Sequence, residues 1–134
     1  MELNEYQEKA MTTCMESCEN FSYMFINLVG EVGEFASKIA KGIRKKKLTI
    51  GGKDEMACND IKYWDEYSET SGEYIETNIE LQKEAGDILW QLSGLCSVMG
   101  WPLEDIAKMN LHKLAMRKAA GTIDGNGDGI IRDK

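Results

Sequence analysis

The sequence predicts an all-α fold, a bundle of four helices, and three observations carry that prediction. A single proline in 134 residues leaves long stretches free of helix breakers. Ala, Met, Leu, Glu and Lys, all good helix formers, are plentiful. Apolar residues recur at intervals of three and four, and glycines stand where the periodic runs stop.

Asn4 followed three residues later by Gln7 has the form of a capping box, which would open a first helix running through LNEYQEKAMTTCMESCEN to about Asn20. A second helix is expected from Ser22, with Met24, Phe25, Leu28, Val32, Phe35, Ile39 and Ile43 on its buried face, to Gly42 or shortly after. The pattern then breaks over residues 43–76. This inserted connection holds the basic run Arg44 to Lys47, the turn signal Gly51-Gly52 and an aromatic stretch in which Trp64 and Tyr67 are three apart, with room for a short hairpin or helix. A third helix, from about Glu76 to Met99, carries Ile79, Leu81, Ile88, Leu89, Leu92, Leu95 and Cys96 and stops at Gly100. Pro102 suits the first turn of a fourth helix, with Glu104 and Asp105 at its positive end, Ile106, Met109, Leu111 and Leu114 as apolar positions, and Gly121 near its close. One helical domain over residues 1–120 and a glycine-rich tail over 121–134 follow.

A hydrophobic fraction of 43% with 29% charged residues describes a globular chain rather than a disordered or membrane one. Glu2 and Glu5 stand where a signal peptide wants positive charge, and no apolar run approaches the ~20 residues that span a bilayer, so the expected place is the cytoplasm. The net charge of -7 argues against nucleic acid or anionic lipid as partners. Cys14, Cys18, Cys58 and Cys96 lack a zinc-site spacing and are expected to be free thiols.

The chemistry lies in two acidic pairs. LVGEVGEF from Leu28 and LQKEAGDI from Leu81 superimpose in register, so Glu31, Gly33 and Glu34 match Glu84, Gly86 and Asp87. At ~100° per residue from each leucine, the first acid falls near 300° and the second near 240°, beside an apolar stripe of roughly 320° to 80°. Packed antiparallel, the two helices can bring four carboxylates together, and the matching glycines would let the backbones approach closely. An ionised pair at ~4 Å costs about 1 kcal/mol in water and about 4 at an effective dielectric constant near 20, so such a cluster calls for a cation. Hard divalent ions with oxygen ligands serve, Mg²⁺ above all. Glu-x-x-Glu is common on solvated helices, and Glu34 could simply pair with Lys38. Two such motifs in register favour the metal site. A di-iron centre needs Glu-x-x-His from two helices, whereas the single histidine, His112, follows Met109 by three and is expected at the surface.

YQEKAMTT, LVGEVGEFASKIAKG, KEAGDILWQLSGL and MNLHKLAMRKAAGTIDGNGD together resemble the MazG-like all-α nucleoside triphosphate pyrophosphohydrolases, in particular the short single-domain members of phage type. The family pattern is a Glu-Glu-x-x-Glu helix followed by a Glu-x-x-Asp helix. The resemblance implies Mg²⁺-dependent cleavage of an NTP or dNTP between the α- and β-phosphates, with Mn²⁺ as a substitute ion and the host cytoplasm as the place of action for a phage-encoded member. It implies metal binding by Glu31, Glu34, Glu84 and Asp87, and substrate contact by Asn110, Lys113 and Arg117, with Lys38 a further candidate. Glu31 or Glu34 would accept the proton of the attacking water, and Lys113 and Arg117 would stabilise developing phosphate charge. Gly30 replaces the first glutamate of the longer motif, and the gap from Phe35 to Glu84 exceeds that of compact members.

Asp124-Gly-Asn126-Gly-Asp128-Gly129 imitates half a calcium loop, but position 12 lies beyond Lys134. The non-enzymatic alternative is a helical binding or regulatory protein of nucleotide metabolism. Four helices with acids on a buried edge make a thin core, so a homo-oligomer is expected, a dimer or a tetramer.

Overall fold

The structure is a computed structural model describing residues 1–45, 48–50, 61–63 and 72–123. It contains α1 (Leu3–Met11), a 3-10 turn (Glu16–Cys18), α2 (Phe21–Arg44), β1 (Leu48–Ile50), β2 (Ile61–Tyr63), α3 (Gly72–Val98) and α4 (Leu103–Ala119). The all-α class is borne out, with one small addition: β1 and β2 pair antiparallel, Leu48 opposite Tyr63 and Ile50 opposite Ile61. The inserted connection thus holds the short hairpin for which it had room. The Trp64–Tyr67 stretch and the calcium-like tail lie outside the described residues. Two compact units are present, Met1–Phe21 with Ser93–Lys134, and Ser22–Leu92.

In the first unit, α1 is shorter than its sequence suggests. The hydroxyls of Thr12 and Thr13 donate to the carbonyls of Lys9 and Ala10 at 2.6 and 2.7 Å, which ends the helix where two β-branched residues would otherwise have to continue it. The capping box does not form either, for α1 starts after Glu2 with no side-chain cap. Asn4 and Gln7 turn instead to α4: Asn4 Oδ1 accepts from the backbone N–H of Glu104 at 3.0 Å, and Gln7 Oε1 from that of Leu103 at 2.8 Å. Pro102, one residue before α4, has no hydroxyl or carboxylate with which to cap it, so two side chains from α1 satisfy the orphan donors. Gln7 Nε2 adds a bond to the carbonyl of Trp101 at 2.9 Å.

Of the three expected glycine stops, α2 runs two residues past Gly42 to Arg44, and the other two are left-handed. Gly100 and Gly121 each have φ of 73°. Trp101 N–H reaches back to the Cys96 carbonyl and Gly100 N–H to that of Ser97, and Thr122 and Gly121 repeat the pattern on Arg117 and Lys118. These paired bonds close the ends of α3 and α4, at a backbone angle only glycine adopts cheaply.

In the second unit the contacts set the direction of α2 and α3. As α2 is followed from Met24 to Glu31 to Lys38, its partners on α3 fall from Gln91 through Asp87 to Glu84, so the helices run antiparallel. The rotation of each helix is the surprise. On α2 the side chains turned inward are Met24, fully buried, with Leu28, Phe35 and Ile39 half-buried. Phe25, Val29 and Val32, on the far side of the apolar stripe, are 51%, 62% and 50% exposed, and Ile43 is exposed too. On α3, Leu81 and Gln91 are buried while Leu89 and Leu92 are exposed. It is therefore the acid-bearing edge of each stripe that faces the partner helix, and half of the expected core face points outward. On α4, Met109, Leu111 and Leu114 are likewise exposed. Nor do Gly33 and Gly86 mediate close approach: a Cβ added at either would meet no atom within 4 Å.

Candidate metal centre

Glu31 projects from the middle of α2, one turn beyond Asn27, and Glu84 and Asp87 project from α3 one turn apart. One carboxylate oxygen from each of the three lies within 4.8 Å of the others. Two oxygens bound to one Mg²⁺ at about 2.1 Å are at most about 4.2 Å apart, so a small rotamer adjustment would seat a hard cation among them. The donor set, all carboxylate oxygen with no thiolate or imidazole, suits such an ion.

Electrostatics report the same crowding. The pKa of Glu31 is raised above the usual carboxylate value, first because partial burial disfavours its charge, then because Asp87 and Glu84 lie close; a hydrogen bond from Asn27 works the other way, and Glu34 adds a smaller repulsion. Lys38 Nζ stands 3.9 Å from Glu84 Oε1. Its partner is thus the carboxylate across the helix pair rather than Glu34 on its own helix. At that length, and with Lys38 partly in solvent, the pair contributes no more than about 1 kcal/mol.

Of four register-matched acids, the geometry gathers three. Glu34 is exposed and lies outside the triad. The edge of α2 next to Glu84 is occupied by an ammonium, which the cluster attracts, where a fourth carboxylate would be repelled. Asn110, Lys113 and Arg117 share one face of α4 at spacings of three and four, in the unit formed by α1 and α4. Asn110 and Lys113 are exposed. Arg117 is half-buried, its Nη2 donating to the Thr122 carbonyl at 3.4 Å, and its buried Nε has no partner among the described residues.

Two polar residues near the triad were not legible as functional from spacing. Gln91, one turn beyond Asp87, is 1% exposed, and Asn27, one turn before Glu31, bonds to it across the helix pair at 2.8 Å. The available signal was a polar side chain one turn from an acid on each of two matched helices.

Cys14, Cys18 and Cys96 are free thiols, with the pKa of Cys14 and Cys96 raised chiefly by burial. Among the described residues no helix is long and apolar enough to cross a membrane.

Comparison with known proteins accords with this geometry. The model of the MazG nucleotide pyrophosphohydrolase domain matches residues 19–121, which include every acid of the two motifs. A protein of Mycobacterium phage L5 described as Gene 37 protein is 30% identical over 135 residues, covering 96% of this chain and 98% of its own length. No solved structure gives a significant match. With two paired acidic helices and a match across most of its length, the chain belongs to the MazG nucleotide pyrophosphohydrolase family.

Proposed function

We propose that the protein hydrolyses a nucleoside or deoxynucleoside triphosphate between the α- and β-phosphates, releasing the monophosphate and pyrophosphate, with Mg²⁺ held by Glu31, Glu84 and Asp87. The observation that carries this reading is the convergence of three carboxylates within 4.8 Å from two antiparallel helices of a chain in this family. Bound there, Mg²⁺, or Mn²⁺ in its place, would offset the charge of the triphosphate and acidify the attacking water.

The chain's own residues supply the rest. Glu34, next to the triad but not part of it, has no side-chain ion pair or hydrogen bond among the described residues, and its carboxylate would join as a further ligand or take the proton of the water as its oxygen bonds to phosphorus. The α–β bridging bond breaks and its electron pair leaves with pyrophosphate. Lys113 and Arg117, with Asn110 beside them, bind phosphate oxygens and stabilise that leaving charge. Lys38, already next to Glu84, exchanges one anionic partner for another when a phosphate arrives.

The same reading includes a homo-oligomer, a dimer or tetramer. Phe25, Val29 and Val32 on α2 and Leu89 and Leu92 on α3 are all exposed in the single chain. Both stripes are displaced in the same rotational sense from the contact edge. In an antiparallel pair this places them on one side of the layer, where a second copy would cover them. The chain acts as one helical domain in the cytoplasm, that of a host if it is phage-encoded, without nucleic acid or membrane as partner.

A panel of canonical and modified NTPs and dNTPs, incubated with Mg²⁺ beside Glu34→Gln and Asp87→Asn, tests the activity. Monophosphate and pyrophosphate in equal amounts from the unmutated protein, lost in Asp87→Asn, are the expected result. Silence across the panel with both Mg²⁺ and Mn²⁺ would favour a non-catalytic binding or regulatory role.

A further inference from the structure

Gln91 lies at the α2–α3 contact with 1% of its surface exposed, so its amide must find its hydrogen bonds inside the protein. Its Nε2 faces Met24, 3.4 Å from the backbone carbonyl and 3.2 Å from the sulfur. That commits the nitrogen end to α2 and leaves Oε1 as the acceptor. Asn27 Nδ2 donates to it at 2.8 Å. An amide nitrogen carries two hydrogens, and the second points along the helix to Glu31, where Nδ2 stands 3.4 Å from Oε1. The oxygen end of Asn27 lies over Gly30, 3.5 Å from where a Cβ would be. Each orientation in this chain of contacts therefore follows from the one before it, starting at a buried group.

We propose that Gln91 and Asn27 act in series as positioning residues for Glu31, holding its carboxylate toward Glu84 and Asp87 so that the metal finds a formed triad. The inference rests on the metal-site reading above and extends it to two residues outside the acidic motifs. Glu31 needs such a tether because its two carboxylate neighbours repel it: without a metal, a flexible glutamate would swing away toward water. A neutral amide is suited to the task, since it donates to the carboxylate without competing for the metal as a lysine would. Met24, Asn27 and Glu31 follow one another at spacings of three and four, so a single face of α2 carries the anchor, the relay and the ligand.

Hydrogen-bond partners of metal ligands typically set affinity by about 10- to 100-fold. The long Asn27–Glu31 contact places this case at the low end, about tenfold.

The test is Mn²⁺ binding, followed by the electron paramagnetic resonance signal of the free ion, for the unmutated protein, Asn27→Ala, Gln91→Met, the double variant and Asp87→Asn. Asn27 is only half-buried, so its variant reports on the relay even where a core substitution at Gln91 disturbs folding. The relay predicts that Asn27→Ala and Gln91→Met each weaken Mn²⁺ binding about tenfold, and that the double variant loses no more than Asn27→Ala alone. In turnover, the metal concentration for half-maximal rate should rise while kcat at saturating metal stays unchanged, a split that loss of folded protein would not produce. If the unmutated protein binds Mn²⁺, Asp87→Asn abolishes that binding, and Asn27→Ala binds as tightly as the unmutated protein, the inference fails and the metal site stands. If the unmutated protein binds no Mn²⁺, the metal site fails and takes the inference with it.

Discussion

Replacing Asp87 by Asn should make the metal-free protein more stable and the metal-loaded protein less so. Each pair within the triad, taken at the 4.8 Å limit, repels by about 0.9 kcal/mol in water and about 3.5 kcal/mol at an effective dielectric constant near 20. Removing one charge of three relieves two of the three pairs. Asp87 is exposed, which places it near the aqueous end of that range, so the expected gain is about 1–2 kcal/mol. For a chain of this size that is a rise in Tm of about 4–8 °C. In the unmutated protein, Mg²⁺ at one hundred times its Kd should add about 2.7 kcal/mol, because the ion binds only the folded triad. The assay is thermal unfolding with a chelator and with a Mg²⁺ series, on both proteins. A variant that melts lower than the unmutated protein in chelator, or one that keeps the full Mg²⁺ shift, would refute the argument that these acids repel one another and share an ion.

Acidification should give the same relief as mutation. Glu31 has a raised pKa, so the folded chain binds its proton more tightly than the unfolded chain. The cost is fully present above that raised value, fades as pH falls through the interval down to the ordinary carboxylate value, and is absent below it. In chelator, Glu31→Gln should therefore melt above the unmutated protein at pH 7, and the gap should narrow as pH falls to the ordinary carboxylate range; a gap independent of pH would contradict the assigned cause. Asn4→Ala and Gln7→Ala should each cost about 1 kcal/mol in a urea melt, as lost caps of α4; no change in either would mean that the N-terminus of α4 is satisfied by water. Gly100→Ala should cost about 1 kcal/mol at its positive φ, whereas Gly86→Ala, in mid-helix with nothing near the new methyl, should gain about 0.5–1 kcal/mol; the reverse order would show that Gly86 is packed against something.

Several features of this protein were determined by its sequence alone, because they rest on local chemistry. Gly100 and Gly121 end their helices because only glycine takes a φ of 73° cheaply, and the neighbouring residues cannot change that. The long apolar period of α2 and the register of Glu31 with Glu84 and of Glu34 with Asp87 are likewise properties of spacing. What spacing leaves undetermined is the rotation of a helix about its own axis. A period sets the angles between residues on one helix, but only the partner decides which of those angles points inward. The tertiary structure turned the acid edges of α2 and α3 toward each other, left Phe25, Val29 and Val32 outward, and gave the place beside Glu84 to Lys38. It also took Asn4 and Gln7 from the start of their own helix to cap α4, about one hundred residues away. Capping depends on which unsatisfied donors lie within hydrogen-bond reach, and that distance is measured in space and not along the chain.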